Sequence, residues 1–288
     1  MSRMSFADLV RGTGINVVEE YKELLNLLTG RAYQIFPGSE FQGNMMEPCE
    51  ERSFSDICDE SFESLPIDIR GTCRTIAGFN AYHEYSPARV TNPNLDDLLL
   101  FAEYFLTFSY ALGCLYKNPG FYIEGKINKR VLSHLMILKD RLHHTVVFDG
   151  DIIKLVPQDV IVSEVASNLP KEVSIKTFLY RHRSMAGKLE EKRHVLKLLG
   201  DQLEPIRADI QGSELRSAIF SLLNNMNIRH NNMKPGDAHY HAFVSGLSDK
   251  EREVWYDRLY DMMLAAFSGL NARNALGEYM RHKDVIGA

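Results

Sequence analysis

The sequence lacks the short motifs that identify many enzyme and cofactor-binding families. It contains no G-x-x-x-x-G-K-[S/T], no G-x-G-x-x-G, no G-x-S-x-G and no H-E-x-x-H. Their absence disfavours P-loop NTPases, dinucleotide-dependent enzymes, typical serine hydrolases and zincin proteases. Their absence does not exclude enzymes whose active-site residues are dispersed along the chain.

Cysteine is scarce, and its spacing excludes the usual zinc patterns. The four cysteines are Cys49, Cys58, Cys73 and Cys114. They form no C-x-x-C pair, and no short histidine spacing completes a zinc site. We therefore expect reduced thiols, as in the cytoplasm, with no metal and no cofactor.

An excess of positive charge and a long uninterrupted apolar run are also missing. The net charge is −5, whereas nucleic-acid coat proteins and membrane-surface proteins are usually basic, so any RNA contact needs a local patch. The longest apolar stretch, Leu98–Tyr116, contains Glu103 and predicts a buried core helix. The first twelve residues lack the apolar segment of a secretory signal. We expect a soluble, cytoplasmic protein that does not enter the membrane.

Apolar periodicity predicts a mainly α fold, in a chain whose 45% apolar and 25% charged residues are typical of globular domains. Helices are predicted over Ile15–Leu28, Leu98–Tyr116, Lys126–Leu142, Asp159–Ala166, Glu172–Arg183, Leu189–Leu203, Ser213–Asn227 and Ser248–Leu270. Ser213 is the predicted cap of one helix, and Ser248 with Glu251 predicts a capping box for another. Irregular segments are predicted at Phe36–Pro66, Tyr82–Asn94 and Asn231–Gly246.

One segment follows a strand pattern instead. Two β-rich runs within Thr145–Pro157 flank Asp149 and Gly150, which predicts a tight hairpin. We take the hairpin as the boundary between an N-terminal helical region with acidic loops, residues 1–144, and a hairpin plus helical bundle, residues 145–288.

The segment Asn224–Asn232, NNMNIRHNN, is the main candidate for function. Asparagine competes for backbone hydrogen bonds and is poor inside helices, so this segment predicts a helix end that opens into a polar pocket. Arg229 and His230 suit the negative end of the helix dipole, which is a purely structural explanation. The same pair suits metal-independent RNA cleavage, because histidine transfers protons and arginine holds phosphate.

This arrangement resembles the HEPN-like domain at the C-terminus of bacterial abortive-infection proteins, where a motif of the type I-R-H-x-[E/N] follows an Asn-bearing helix. Here the motif is Ile228-Arg229-His230-Asn231-Asn232, and Leu189–Glu204 resembles the family's earlier helix with its late glutamate. The resemblance covers roughly residues 145–275. It implies a homodimer and a catalytic set of Arg229, His230, Asn231 and Glu204.

The spacing departs from that of HEPN ribonucleases, in which the arginine precedes the histidine by four to six residues. Asn224 occupies that place here, and Arg229 is adjacent to His230. Either Arg229 takes over the role, or the domain is non-catalytic and binds RNA or a partner.

Two further clusters are less specific. His239 and His241, near Asp237, are spaced as metal ligands on an extended segment, although a solvated loop explains them equally simply. The most basic stretch is either an RNA contact or a solvated face of two helices, and it consists of Arg181, His182, Arg183, Lys188, Lys192, Arg193 and His194. The set expected to bind RNA or a partner is Asn225, Asn232, Arg181, Arg183, Lys192 and Arg193.

The sequence therefore predicts an abortive-infection or toxin-type defence protein that cleaves or binds RNA. As an enzyme it would be a metal-independent endoribonuclease. The alternative is a non-catalytic interaction module that regulates a partner defence protein.

Overall fold

A computed structural model of the protein describes residues 14–30, 33–37, 50–65, 67–82, 90–115, 121–123 and 125–286. The chain is mainly helical and divides into two compact units, Met1–Leu155 and Val156–Ala288. Among the described residues, no helix is both long enough and apolar enough to cross a membrane.

The first unit contains six helices and two small sheets in its described parts. The helices are α1 (Val17–Thr29), α2 (Phe54–Ser61), α3 (Ile67–Arg70), α4 (Ile76–Tyr82), α5 (Leu95–Leu115) and α6 (Gly125–Arg141). An antiparallel sheet has the order β2-β1-β3, with β1 at Tyr33–Pro37, β2 at Glu50–Arg52 and β3 at Phe121–Ile123. The hairpin pairs β4 (His144–Asp149) with β5 (Ile152–Pro157).

Helix α5 forms the centre of this unit and holds the hairpin. Glu103 is fully buried at 0% exposure. Its Oε1 accepts a hydrogen bond from the Leu155 N–H at 2.7 Å, and the Lys154 ammonium lies 3.8 Å from the carboxylate. One helical turn further on, Thr107 Oγ1 accepts from the Ile153 N–H at 3.0 Å. Two buried polar side chains of α5 thus satisfy backbone groups of β5 that would otherwise be buried without a partner.

The second unit is helical in its described part. Its helices are α7 (Val160–Ser167), α8 (Lys171–Leu179), α9 (Leu189–Leu203), α10 (Ser213–Asn225), α11 (Ala242–Ser245) and α12 (Asp249–Ile286), with 3₁₀ turns at Arg183–Met185 and Arg207–Asp209. The long α12 packs against α7, α9 and α10. Arg273 near its distal part bonds Asp209 before α10, and Arg252 near its start contacts Met233 after α10. Helices α10 and α12 are therefore antiparallel neighbours.

The structure confirms the mainly α fold and the hairpin. Gly150 has a φ of 65° in the turn, which a side chain would oppose. Ser248 and Glu251 form the predicted capping box, with reciprocal bonds of 2.9 and 3.3 Å. Cys58 and Cys73 are free thiols, whereas Cys49 and the side chain of Cys114 lie outside the described residues.

Several boundaries were wrong. Gly212, not Ser213, occupies the cap position of α10, and Ser213 is the first helical residue. The predicted loop Asn231–Gly246 contains the short helix α11. Helix α12 was predicted to end at Leu270, the last of its buried apolar residues, but it continues to Ile286. The unpredicted antiparallel sheet pairs strands far apart in sequence.

The segment Phe36–Pro66 is not irregular throughout. Ser53 and Asp56 form a capping box that starts α2. Phe54, Ile57 and Cys58 are buried at helical spacing, although the acidic residues between them made the composition resemble a loop. Residues 38–49 and Pro66 lie outside the described residues.

Candidate functional site

The Asn-rich segment ends α10 with a left-handed residue. Asn227 has a φ of 56°, a conformation that asparagine tolerates better than most residues. The Met226 N–H bonds the Leu222 carbonyl at 2.9 Å, and the Arg229 N–H bonds the Leu223 carbonyl at 3.0 Å. These bonds satisfy the last carbonyls of the helix and turn the chain sharply.

Two asparagines then close the loop that follows. Asn232 Oδ1 accepts from the Asn227 N–H at 2.9 Å, and Asn227 Oδ1 accepts from the Asn232 N–H at 3.2 Å. Asn232 is 0% exposed; its Nδ2 donates to the His239 carbonyl, and its own carbonyl accepts from the His241 N–H at 3.0 Å. We call these contacts the asparagine clamp. It fixes His239 beside the residues that end α10.

Arg229 is held inside its own unit. Its Nη1 bonds Glu204 at 2.5 Å, and its Nη2 donates to the Gly200 carbonyl at 3.1 Å. The guanidinium also lies 5.6 Å from the centre of the Phe220 ring. The hydrogen bond from Arg229 is the largest cause of the lowered pKa of Glu204, and Arg207 adds to it. Arg229 therefore completes the C-terminal end of α9.

The close approach of α9 and α10 explains why Arg229 reaches that end. A Cβ on Gly200 would lie 2.9 Å from Leu223 Cδ2 and 3.5 Å from Arg229 Nη2. The absence of a side chain at Gly200 brings α10, and with it Arg229, against α9.

His230 is partly buried and faces another imidazole. The ring centres of His230 and His239 lie 4.2 Å apart with an interplanar angle of 33°. His239 is exposed. Among the described residues, no hydrogen bond or ion pair connects His230 with Arg229, Asn231 or Glu204. Within the expected catalytic set Arg229 and Glu204 therefore bond each other, whereas His230 pairs with His239, which lies outside the set.

Asn231 is paired with Arg193 of α9. Arg193 Nη2 donates to Asn231 Oδ1 at 3.2 Å, and Arg193 Nε donates to the Ile228 carbonyl at 3.3 Å. The same guanidinium lies 3.3 Å from the Glu190 carboxylate. Arg193 thus ties the chain on both sides of His230 to α9, and each of its three guanidinium nitrogens has a partner.

Two cations of the basic stretch, one after α8 and one in α9, face acidic residues of α12. Lys192 is 5% exposed, and its ammonium lies 2.8 Å from both Glu253 and Asp257. Arg181 pairs with Asp261. Lys192 and Arg181 are therefore each paired with acidic residues of α12, and they do not form an unpaired basic surface.

The remaining expected residues have local contacts. Arg183 Nη1 lies 3.2 Å from His182 Nε2. Asn225 is exposed and donates to Ser221 Oγ at 3.3 Å, one helical turn earlier. His241 points the edge of its ring at Phe243, with centres 6.5 Å apart. No group of three or more His, Cys, Asp or Glu side chains could hold a metal ion among the residues that the structure describes.

Sequence reasoning missed the acidic stripe of α12 and the partner of His230. Glu253, Asp257 and Asp261 recur every four residues, and this spacing places them on one helix face. The same helix carries Tyr260, whose ring stacks on Tyr180 at 4.0 Å. The stripe was visible in the sequence as a pattern, whereas the contact of His230 with His239 depends on the asparagine clamp.

The site thus contains two adjacent imidazoles, those of His230 and His239, on a loop that the asparagine clamp holds in place. No family model, no curated protein and no solved structure significantly matches this chain.

Proposed function

We propose that the protein acts on RNA, as a defence protein of the abortive-infection type, with His230 and His239 as its proton-transfer pair. The observation that carries this proposal is the contact between the two imidazoles, whose centres lie 4.2 Å apart. His239 is exposed, so a phosphodiester can reach the pair from solvent.

Two imidazoles suit RNA cleavage because the reaction needs a base and an acid. One neutral ring accepts the proton of the ribose 2′-hydroxyl as its oxygen attacks phosphorus. The other ring, protonated, donates to the leaving 5′-oxygen, so that a cyclic phosphate and a free hydroxyl result. Imidazole exchanges protons near neutral pH, which makes histidine the suitable side chain.

The surrounding residues position this pair. The asparagine clamp holds His239 through its carbonyl. Arg193 fixes the chain on both sides of Arg229 by bonding the Ile228 carbonyl and Asn231. Arg229 bonds Glu204 and Gly200 and is assigned a positioning role.

The resemblance to HEPN-like domains implies a homodimer, and we retain that as part of the proposal. Light scattering after size-exclusion chromatography tests it, and a monomer at micromolar concentration would remove it.

The second candidate function is a non-catalytic module that binds a partner defence protein. The contacts of Arg229 favour this second function, because its side chain is only 18% exposed and its guanidinium is bonded to Glu204. It cannot hold a phosphate bidentately without breaking that pair. The two functions differ in whether the histidine pair performs chemistry.

The deciding experiment incubates the purified protein with total RNA in the presence of a chelator. Each of His230→Gln and His239→Gln should reduce cleavage at least about 100-fold, because each removes one proton-transfer group. His194→Gln, an exposed histidine on α9, should cleave like the wild type. Intact RNA with the wild-type protein would exclude the catalytic function and leave the interaction module.

A further inference from the structure

A second feature of the same unit is an open groove at the start of α12, with a volume of about 610 Å³. This volume is within the usual range for ligand pockets. Its apolar walls and its cations are contributed by Phe243, Leu247, Val254, Trp255, Lys250 and Arg258. The groove therefore combines aromatic faces with positive charge.

Both aromatic residues of the groove are at least partly exposed. Phe243 is 55% exposed, and Trp255 is partly exposed and lines the groove. The Arg258 guanidinium lies 4.9 Å from the centre of the Trp255 ring. Every nucleobase has a flat face that stacks on such rings, and this stacking contributes about 1–3 kcal/mol per base.

Unlike Arg181 and Lys192, the cations of the groove are not paired with carboxylates in the part of the chain that the structure describes. Lys250 and Arg258 are exposed, and neither forms an ion pair with the described residues. The groove also contains Glu251, but its carboxylate accepts bonds from the Ser248 N–H at 2.9 Å and the Ser248 hydroxyl at 2.7 Å. These bonds come from neutral donors and lower the pKa of Glu251, so the lining carries two cations and one carboxylate, a net charge of +1, which suits phosphate.

One short stretch of chain, from His239 to Phe243, connects the histidine pair to the groove. Phe243 forms its wall and contacts the ring of His241. Two residues before His241, His239 contacts His230. A strand bound in the groove would thus lie against the segment that carries the proposed chemistry.

We propose that this groove binds single-stranded RNA, with bases stacked on Phe243 and Trp255 and the neighbouring phosphates on Lys250 and Arg258. The inference rests on the proposed function, because it identifies where the RNA strand is held. A free base fits the aromatic faces, whereas a paired base would be covered by its own stack.

Trp255 provides a direct test, because it is the only tryptophan of the chain. The probe is a mixed-sequence RNA of about 12 nucleotides, a length within known site sizes, with 2′-O-methyl groups that block cleavage. Its addition to the full-length protein should quench Trp255 emission. Anisotropy of the same RNA carrying fluorescein should give the same dissociation constant.

The variants separate stacking from charge. Phe243→Ala should weaken binding about 5- to 150-fold, the range that corresponds to the loss of one stacked base. Lys250→Ala should reduce the salt dependence by about one phosphate contact. The matched controls are Leu276→Ala, an exposed apolar residue of α12, and Lys197→Ala, an exposed lysine of α9; both should bind like the wild type.

Three results would overturn the proposal. RNA that binds without changing Trp255 emission would place the strand elsewhere. Quenching by a polyglutamate peptide but not by RNA would assign the groove to an acidic protein partner. Tighter binding of single-stranded DNA of the same sequence would remove the assignment to RNA.

The outcome is distinguishable from a failure of the proposed function. Binding in the groove without any cleavage of unmodified RNA would contradict the chemistry of the histidine pair alone. Cleavage that depends on His230 and His239 but is unaffected by Phe243→Ala and Lys250→Ala would contradict the groove alone.

Discussion

Asn227 and Asn232 each use a side-chain oxygen to accept the backbone N–H of the other, at 3.2 and 2.9 Å. The exchange closes a short loop in which Asn227 is 7% exposed and Asn232 is 0% exposed. Buried amides of this kind are strongly constrained, because each lost partner leaves a polar group without a hydrogen bond.

Replacement of Asn232 should therefore destabilise the second unit. Asn232→Ala should lower the free energy of unfolding by about 2–3 kcal/mol, since the Asn227 N–H and the His239 carbonyl both lose a partner. Urea denaturation followed by Trp255 fluorescence measures this. Asn225→Ala, at the exposed end of α10, should change stability by less than about 0.5 kcal/mol. Equal effects of the two variants would contradict the asparagine clamp.

Arg229 should behave as a structural residue. Arg229→Ala should lower the free energy of unfolding by about 1–2 kcal/mol, because it removes the bonds to Glu204 and to the Gly200 carbonyl. Cleavage measured well below the melting temperature should fall by less than about 10-fold. A catalytic Arg229 would give the opposite result, a loss of at least about 100-fold with unchanged stability.

A double-mutant cycle isolates the Arg229–Glu204 pair. Because Glu204 is 43% exposed, we expect a coupling of only about 0.5–1 kcal/mol. The matched pair is Arg273 with Asp209, which are 52% and 56% exposed and should couple more weakly. A coupling near zero for Arg229 and Glu204 would exclude the pair as a source of stability.

Glu253 should make part of the stability depend on pH. Burial acts to raise its pKa, but hydrogen bonds from Lys192 and the Gly187 N–H outweigh it, so the pKa is lowered. Its contribution is present above the unfolded pKa of about 4.3 and is lost as the pH falls through the lower, folded value. Glu253→Gln should thus cost about 1–2 kcal/mol at pH 7, and this cost should shrink as the pH falls below about 4.3.

Urea denaturation at a series of pH values tests this linkage. Glu191→Gln, an exposed carboxylate on α9, should give a small difference that hardly varies over the same range. A cost of Glu253→Gln that persists unchanged at low pH would show that its carboxylate does not act through charge.

Removal of the buried carboxylate of α5 should strongly destabilise the first unit. Glu103→Ala should cost about 3–5 kcal/mol, because it leaves Lys154 and the Leu155 N–H without their partner. Thr107→Val keeps the shape and loses one hydrogen bond, so about 1–2 kcal/mol is expected. Circular dichroism during denaturation measures both. Asp96→Ala, exposed on the same helix, should cost less than either.

Local pattern was sufficient to predict most helices and the hairpin. Both ends of the helix Leu189–Leu203 were predicted correctly, because its apolar residues recur at helical spacing along its whole length. Helix α2 was missed because acidic residues separate its apolar positions. The antiparallel sheet was missed because β1 and β3 pair Ile35 with Ile123, and no local signal indicates such a pairing.

The candidate site was predictable as a place but not as a set of contacts. The density of asparagine marked the end of α10, since asparagine is poor inside helices. The direction of Arg229 depends on Glu204, which lies 25 positions earlier in the chain. Lys192 was expected to bind RNA or a partner, or else to lie on a solvated face, yet it is buried against Glu253 and Asp257. Partners so distant are decided by packing, which sequence spacing does not encode.

Helix α12 is 38 residues long, which corresponds to about 57 Å. Tyr260 and Met263 are fully buried in its first half, whereas Leu276 and Met280 are 60% and 55% exposed. Amide hydrogens around Met263 can exchange with deuterium only when the bundle opens, but those of the last turns need only local fraying. Deuterium should therefore enter this one continuous helix from its C-terminal end, long before it reaches the turns that carry the acidic stripe.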